Sequence, residues 1–205
     1  MEHKLCDTFS LSPNTLIEMF NNVHNNDKEL CGYLTYSRQN GDVISLNILQ
    51  ESLKTGSTEE YKSNDIIKFR ESCSRDSRYA TSYEYHIHPA IKSKSYPSYE
   101  DINTIYKHRS KKVSVLATQW GIYTIKKPHN FRNKYPSIPK EVLSDILNKY
   151  FYTIEKGRKP LPLSDKDLTR IKYGCDAITR YTGLITKFCY WKDLLDVNEI
   201  HTTKY

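Results

Sequence analysis

The stretch Tyr-Glu-Tyr-His-Ile-His-Pro, residues 83–89, decides the fold that we expect for this chain. It is apolar and aromatic, as β-strands are, and His86 and His88 lie two positions apart. On a strand, that spacing places both imidazoles on one face. Ser98 and Asp101 follow at the predicted start of a helix. Two imidazoles and one carboxylate leave one position of a tetrahedral Zn²⁺ open, and a hydrolytic zinc needs that position for its water.

The elements predicted around this stretch alternate between helices and strands. Helices are predicted from residue 13 to the break at 25–27, at 64–74 and at 98–109, and strands at 30–36, 43–49, 80–88, 112–118 and 121–125. The polar turn at 39–42 contains Asn-Gly, which is a strong hairpin signal. This order predicts an α/β sandwich with at least five strands, in which a mixed β-sheet is flanked by helices.

The last third of the chain has a different pattern. Residues 141–154 carry an apolar stripe with the 3.6-residue period of a helix, and Ser164 begins a second helix with a capping-box pattern. Residues 184–191 fit a helix and a strand equally well. We therefore predict a domain at residues 1–127 and a mainly helical extension at residues 128–205, which packs on the domain or on a partner.

Length, cysteines and charge restrict the class of protein. A chain of 205 residues buries a core without disulfides, and five scattered cysteines without a CxxC pair are typical of a reducing compartment. No run approaches the roughly 20 apolar residues that span a bilayer, and no signal peptide is recognisable, so we expect a cytoplasmic or nuclear protein. The net charge of +7 is compatible with nucleic acid, although a solvated basic face is the commoner meaning.

A hydrolytic metal site also needs a base, and Glu29 is the candidate. It precedes the first predicted strand, where a carboxylate can face the end of the sheet. Gly32 lets a neighbouring backbone approach that strand closely. A carboxylate beside a zinc water of lowered pKa can shuttle its proton at neutral pH.

Taken together, these residues resemble the JAB1/MPN/Mov34 (JAMM) metalloprotease family, and its prokaryotic and phage-type members in particular. The resemblance covers residues 10–126 and not the last third of the chain. The motifs that carry it are Glu29-x-Cys31-Gly32-x-Leu34, His86-x-His88-Pro89 and Pro97-Ser98-x-x-Asp101.

The resemblance implies an MPN-like fold, which is a cytidine deaminase-like sandwich, and a zinc isopeptidase that removes ubiquitin or a ubiquitin-like modifier from lysine. His86, His88 and Asp101 would bind one catalytic zinc ion. Glu29 would act as general acid and base through the zinc water, and Ser98 would stabilise the intermediate. The implied partners are conjugates of ubiquitin or of a ubiquitin-like protein.

The chain departs from the family pattern in one place. Asp101 follows His88 by 13 positions, two more than is usual, so the loop at residues 89–97 is longer. A surface loop tolerates such an insertion at little entropic cost, and substrate fit is affected more than metal binding. Glu84 and Glu100 are alternative carboxylates, but Asp101 keeps the motif's spacing from Ser98.

Each residue also has a simpler interpretation. Two histidines at this spacing are, on their own, more often ordinary residues than metal ligands. Ser98-x-x-Asp101 on its own predicts a helix capping box. We expect this box to exclude metal binding unless one of the two side chains turns away from the helix end. Cys31 is interpreted as a small core residue.

A catalytically silent MPN scaffold, with a protein partner on the C-terminal helices, is the alternative function. A nucleic-acid-associated protein ranks last because aromatic and basic residues do not alternate regularly.

Overall fold

The computed structural model describes residues 3–6, 9–39, 42–48, 54–55, 79–90, 94–108, 113–134, 136–156 and 162–195. Nine strands lie within these ranges. They are β1 His3–Cys6, β2 Phe9–Leu11, β3 Leu30–Gln39, β4 Asp42–Ile48, β5 Lys54–Thr55, β6 Tyr79–Ile87, β7 Val113–Ala117, β8 Gly121–Lys126 and β9 Ile185–Tyr190.

The helices of the described residues lie between and after these strands. They are α1 Pro13–Asn25, α2 Tyr99–Lys107, α3 Lys140–Leu147, α4 Thr153–Lys156, α5 Asp165–Thr182 and α6 Trp191–Leu194. A π-helical segment, Asn148–Tyr152, joins α3 to α4. None of them is both long and apolar enough to cross a membrane.

The strands form one mixed sheet in the order β1-β2-β4-β3-β6-β7-β8-β9, with β5 also paired to β3. The central strands β6 and β7 are parallel, as are β2 and β4, and the other pairs are antiparallel. The predicted mixed α/β architecture, a mixed sheet flanked by helices, is confirmed.

The sheet has a core on each face. Alternation along β6 directs Tyr85 and Ile87 to one face, where they join a cluster that includes Leu16 and Phe20 of α1. The opposite face carries a second cluster, in which Leu116 and Tyr123 of the sheet meet apolar residues of α2, α3 and α5. His86 pairs with Leu116 in the parallel register and therefore shares this second face. The face on which His86 lies is thus the face covered by α2, α3 and α5.

The C-terminal third contributes a strand as well as helices. The segment that fitted both helix and strand forms β9, which pairs antiparallel with β8, and its end forms the short helix α6. Phe151 of the π-helical segment approaches α5 at Gly174, where an added Cβ would lie 2.4 Å from the ring. The division of the chain after residue 127 stays a prediction.

Most of the other predicted elements are present with shifted ends. Ser12 caps α1 as predicted, accepting a hydrogen bond from the Thr15 N–H at 3.3 Å. The predicted helix at 141–154 is not one regular helix, because the π-helical segment interrupts it. The helix predicted at 64–74 and the Asn-Gly pair at 40–41 lie outside the described residues.

Candidate metal centre

The end of β6 positions both histidines. His86 is the penultimate residue of the strand, and His88 follows its last residue. The His88 N–H donates to the Ala117 carbonyl at 2.9 Å, which keeps His88 in register with the end of β7. The two imidazoles consequently lie side by side, with ring centroids 5.1 Å apart.

Asp101 faces these rings from the first turn of α2. Its Oδ1 lies 3.0 Å from His86 Nε2, and its Oδ2 lies 3.5 Å from His88 Nε2. The same carboxylate completes a capping box with Ser98: Oδ2 accepts the Ser98 N–H at 2.7 Å, and Ser98 Oγ accepts the Asp101 N–H at 3.1 Å. Neither side chain turns away from the helix end: Oδ2 serves the capping box and also lies near His88, while Oδ1 faces His86.

The spacing of the three side chains fits one metal ion. Each of His86, His88 and Asp101 offers one ligand atom, and these atoms all lie within 4.8 Å of one another. Ligand atoms at about 2.0–2.1 Å from a tetrahedral zinc stand about 3.3 Å apart. The distances from His86 Nε2 to Oδ1, 3.0 Å, and from His88 Nε2 to Oδ2, 3.5 Å, are near that value, although each involves a different oxygen of Asp101. His86 Nε2 is also buried without a well-aligned hydrogen bond, and such an orphaned nitrogen suits a metal ligand.

His88 is held from its other side by the backbone. Its Nδ1 lies 2.9 Å from the Lys94 carbonyl oxygen. A carbonyl only accepts, so Nδ1 must carry the proton, and Nε2 is left with the lone pair that binds a metal. His88 is 5% exposed, so this orientation is enforced by packing as well. Metal-binding histidines are typically oriented by such an outer hydrogen bond.

The charges of the cluster favour metal binding. Burial dominates at His88 and lowers its pKa, so the ring is neutral. Burial acts in the same direction at His86, but the Asp101 carboxylate outweighs it and raises that pKa. Burial acts to raise the pKa of Asp101, yet His86, His88 and the Ser98 N–H together hold it well below its usual value. Asp101 is thus ionised, and its negative charge favours a cation between it and the two imidazoles.

The predicted base and the predicted oxyanion donor lie beside these ligands. Glu29 stands directly before β3, with Oε1 3.7 Å from His88 Nε2 and 35% of its side chain exposed. It is therefore near the ligands yet reachable by solvent. Ser98 Oγ accepts from the Asp101 N–H, and among the described residues it donates no hydrogen bond. Its hydroxyl proton remains free to bind a third group.

The alternative carboxylates that the sequence offered as metal ligands do not belong to this cluster. Among the described residues, the only group of at least three possible ligand side chains is His86, His88 and Asp101, so Glu84 and Glu100 are not members. Cys31 is buried, in agreement with its interpretation as a core residue.

Sequence reasoning missed the support behind His88. The Lys94 carbonyl is a backbone atom, for which no residue type is diagnostic. Glu155, which accepts the Ser95 N–H at 2.7 Å, lies one residue beyond the predicted helix at 141–154, which was recognised only by its apolar stripe. Tyr96 stacks between Trp120 and Phe151, with ring centroids 6.3 and 5.5 Å away. The end of the longer loop is therefore anchored in the second core.

No protein-family model matches this chain, and a search of curated proteins finds no significant relative.

Proposed function

We propose that this protein is a zinc-dependent isopeptidase of the JAMM type, with an MPN-like fold, that removes ubiquitin or a ubiquitin-like modifier from lysine. The observation that carries the proposal is the convergence of His86, His88 and Asp101 on one point, with the Glu29 carboxylate at their edge. The modifier itself is inferred from the resemblance of the three motifs to that family.

Zinc is assigned from the resemblance of the motifs to a zinc metalloprotease family, and the ligand set is compatible with it. Two imidazole nitrogens and one carboxylate form a set typical of catalytic zinc, in which a fourth position stays open. When bound, zinc supplies a Lewis acid that polarises a carbonyl and lowers the pKa of a water molecule to about 7.

Glu29 is proposed to move the proton. Its carboxylate is partly exposed and 3.7 Å from a ligand nitrogen, so a water molecule at the site lies within its reach. It would take the proton from that water and deliver it to the lysine amine as the isopeptide bond breaks. One residue thereby acts first as base and then as acid.

Ser98 is proposed to stabilise the tetrahedral intermediate. The Asp101 N–H occupies one lone pair of Ser98 Oγ and thereby orients the hydroxyl. The hydroxyl proton is then available to a developing oxyanion, and one such donor is worth about 3 kcal/mol in the transition state.

The test is cleavage by zinc-loaded protein of a panel of di-ubiquitin linkages and of a fluorogenic ubiquitin amide. Glu29→Gln should retain zinc and lose activity by about 10²–10⁴-fold, the range for general acid–base catalysis. His88→Ala and a chelator should abolish both zinc and activity. Glu141→Gln, an equal charge change at an exposed carboxylate of α3, serves as the control and should remain active.

Two outcomes would contradict the proposal. Zinc-loaded protein that cleaves no ubiquitin-like substrate removes the isopeptidase assignment. Protein that is purified without zinc and does not take it up favours the catalytically silent scaffold.

A further inference from the structure

The peptide group between Lys94 and Ser95 makes two hydrogen bonds of opposite direction. Its carbonyl oxygen accepts from His88 Nδ1 at 2.9 Å, and its N–H donates to Glu155 Oε1 at 2.7 Å. A peptide group is planar and rigid, with its C=O and N–H pointing in opposite directions. The two bonds therefore act in series, and a displacement at one end is passed to the other.

This chain of bonds lies in a poorly solvated place. Ser95 is 3% exposed and His88 is 5% exposed. In a low dielectric, hydrogen bonds in series polarise and strengthen one another. The Ser95–Glu155 bond is also charge-assisted, and its 2.7 Å length lies at the short end of the range for such bonds. A carboxylate that pulls on the N–H makes the carbonyl a stronger acceptor for His88.

We propose that Glu155 is a positioning residue for the metal centre, acting on His88 through the Lys94–Ser95 peptide group. Its carboxylate orients the imidazole and makes Nε2 a stronger ligand. The chain is a carboxylate–histidine–metal triad in which a peptide group stands between the carboxylate and the histidine. The inference rests on the metal-binding part of the proposed function and does not depend on which bond is cleaved.

The proposal gives the C-terminal third of the chain a role at the site. Glu155 lies on α4, which continues from the π-helical segment that contains Phe151. Phe151 stacks on Tyr96, at 5.5 Å between ring centroids, next to Ser95 in the loop. The ring contact fixes the place of the loop, and the carboxylate fixes the tilt of its peptide group.

The competing explanation is purely structural. A buried N–H needs an acceptor whether or not a metal lies nearby, so Glu155 would only stabilise the loop. Both explanations expect Glu155→Ala to lower the thermal stability. Only the explanation in which Glu155 positions His88 predicts that the His88 hydrogen bond and the zinc affinity change with the charge at residue 155.

The experiment compares wild type, Glu155→Ala and Glu155→Gln, with Asp145→Asn as the control for loss of an exposed acid on α3. The first measurement is zinc affinity by competition with a chromophoric chelator. The second is the proton chemical shift of His88 Nδ1–H, with and without zinc. Glu155→Ala should weaken zinc binding about 10–100-fold, as loss of outer-shell partners does, and move the proton upfield. Glu155→Gln keeps an oxygen acceptor without the charge and should fall between Ala and wild type in both measurements, while Asp145→Asn should match wild type.

The proposal would be overturned if Glu155→Ala lowered only the melting temperature and left the zinc affinity and the His88 Nδ1–H chemical shift unchanged. Equal losses in Ala and Gln, beyond any change in Asp145→Asn, would overturn the part assigned to charge. If the wild type binds no zinc, the proposed function fails, and the proton shift of the metal-free protein still decides whether Glu155 acts on His88. If zinc binds but no substrate is cleaved, the affinity series stands unaffected.

Discussion

Two capping boxes in the described part of the chain are built from the same Ser-x-x-Asp pattern, and they lie in different surroundings. Ser98 and Asp101 open α2, and Ser164 and Asp167 open α5, each pair with both reciprocal side-chain-to-backbone bonds. The capping hydrogen bonds of Asp167 are exposed to solvent, and its Oδ2 accepts both the Ser164 N–H at 3.2 Å and the Ser164 hydroxyl at 2.6 Å. Asp101 is only 15% exposed and places Oδ1 3.0 Å from His86.

The difference lies in what faces the helix end. At the start of α5 the Asp167 carboxylate accepts both of its hydrogen bonds from Ser164, and the capping box only stabilises the start of the helix. Next to α2 the ends of β6 and β7 bring two imidazoles to the same carboxylate, and the Ser98 hydroxyl is not donated to it. The capping pattern alone is thus compatible with both roles, and long-range pairing decides between them.

The largest expected difference between the two boxes is in zinc-linked stability. At free zinc about 1,000 times the dissociation constant, binding should raise the free energy of unfolding by about 4 kcal/mol in wild type. Asp167→Ala should retain that gain, and Asp101→Ala should lose nearly all of it because a ligand is missing. Urea unfolding with and without zinc measures both, and an equal zinc gain in Asp101→Ala would show that this carboxylate is not a ligand.

The comparison also separates what local sequence predicts from what it does not. The i, i+2 spacing of His86 and His88 predicted that the two imidazoles share a face, and the resemblance to the JAMM motifs selected Asp101 as the carboxylate that joins them. A residue in a strand can lie on only two faces, and a capping side chain must point back to the first turn of its helix. Short sequence patterns therefore determine where these side chains lie. Glu155 escaped prediction because its contact with Ser95 spans 60 positions and ends on a backbone atom.

The fold shows the same division. The alternation of β6 and the capping of α1 and α5 are local and were predictable. The assignment of β9 was not, because residues 185–190 carry a mixed pattern of burial and become a strand through pairing with β8. The π-helical segment likewise depends on a partner: the Lys149 carbonyl accepts the Arg170 Nε–H from α5 at 3.1 Å. An apolar stripe alone predicts a regular helix there.

The second expected difference concerns the serines, and it tests the proposed catalysis. Ser98→Ala should lower kcat by about 10²-fold or more, since a transition-state donor is lost, with KM nearly unchanged. Ser164→Ala should leave both constants unchanged. Each variant should lose about 1 kcal/mol of stability as its N-cap is removed, so urea unfolding controls for folding. Equal activity of the two variants, with zinc retained, would remove Ser98 from the mechanism.

The smallest expected difference is electrostatic and separates an exposed capping charge from a buried one. Asp167→Asn keeps an oxygen for the Ser164 N–H but loses a negative charge at the N-terminus of α5, a loss of about 0.3–1 kcal/mol at low salt. Because the site is exposed, this loss should shrink at 1 M salt, where the screening length is about 3 Å. Asp101→Asn in zinc-free protein should cost more and keep its cost at high salt, because Asp101 and its two imidazole partners are at most 20% exposed. Asp145→Asn removes an exposed acid that belongs to neither capping box, so it is the control and should be neutral. A salt-insensitive loss in Asp167→Asn would mean that geometry, not charge, distinguishes the two boxes.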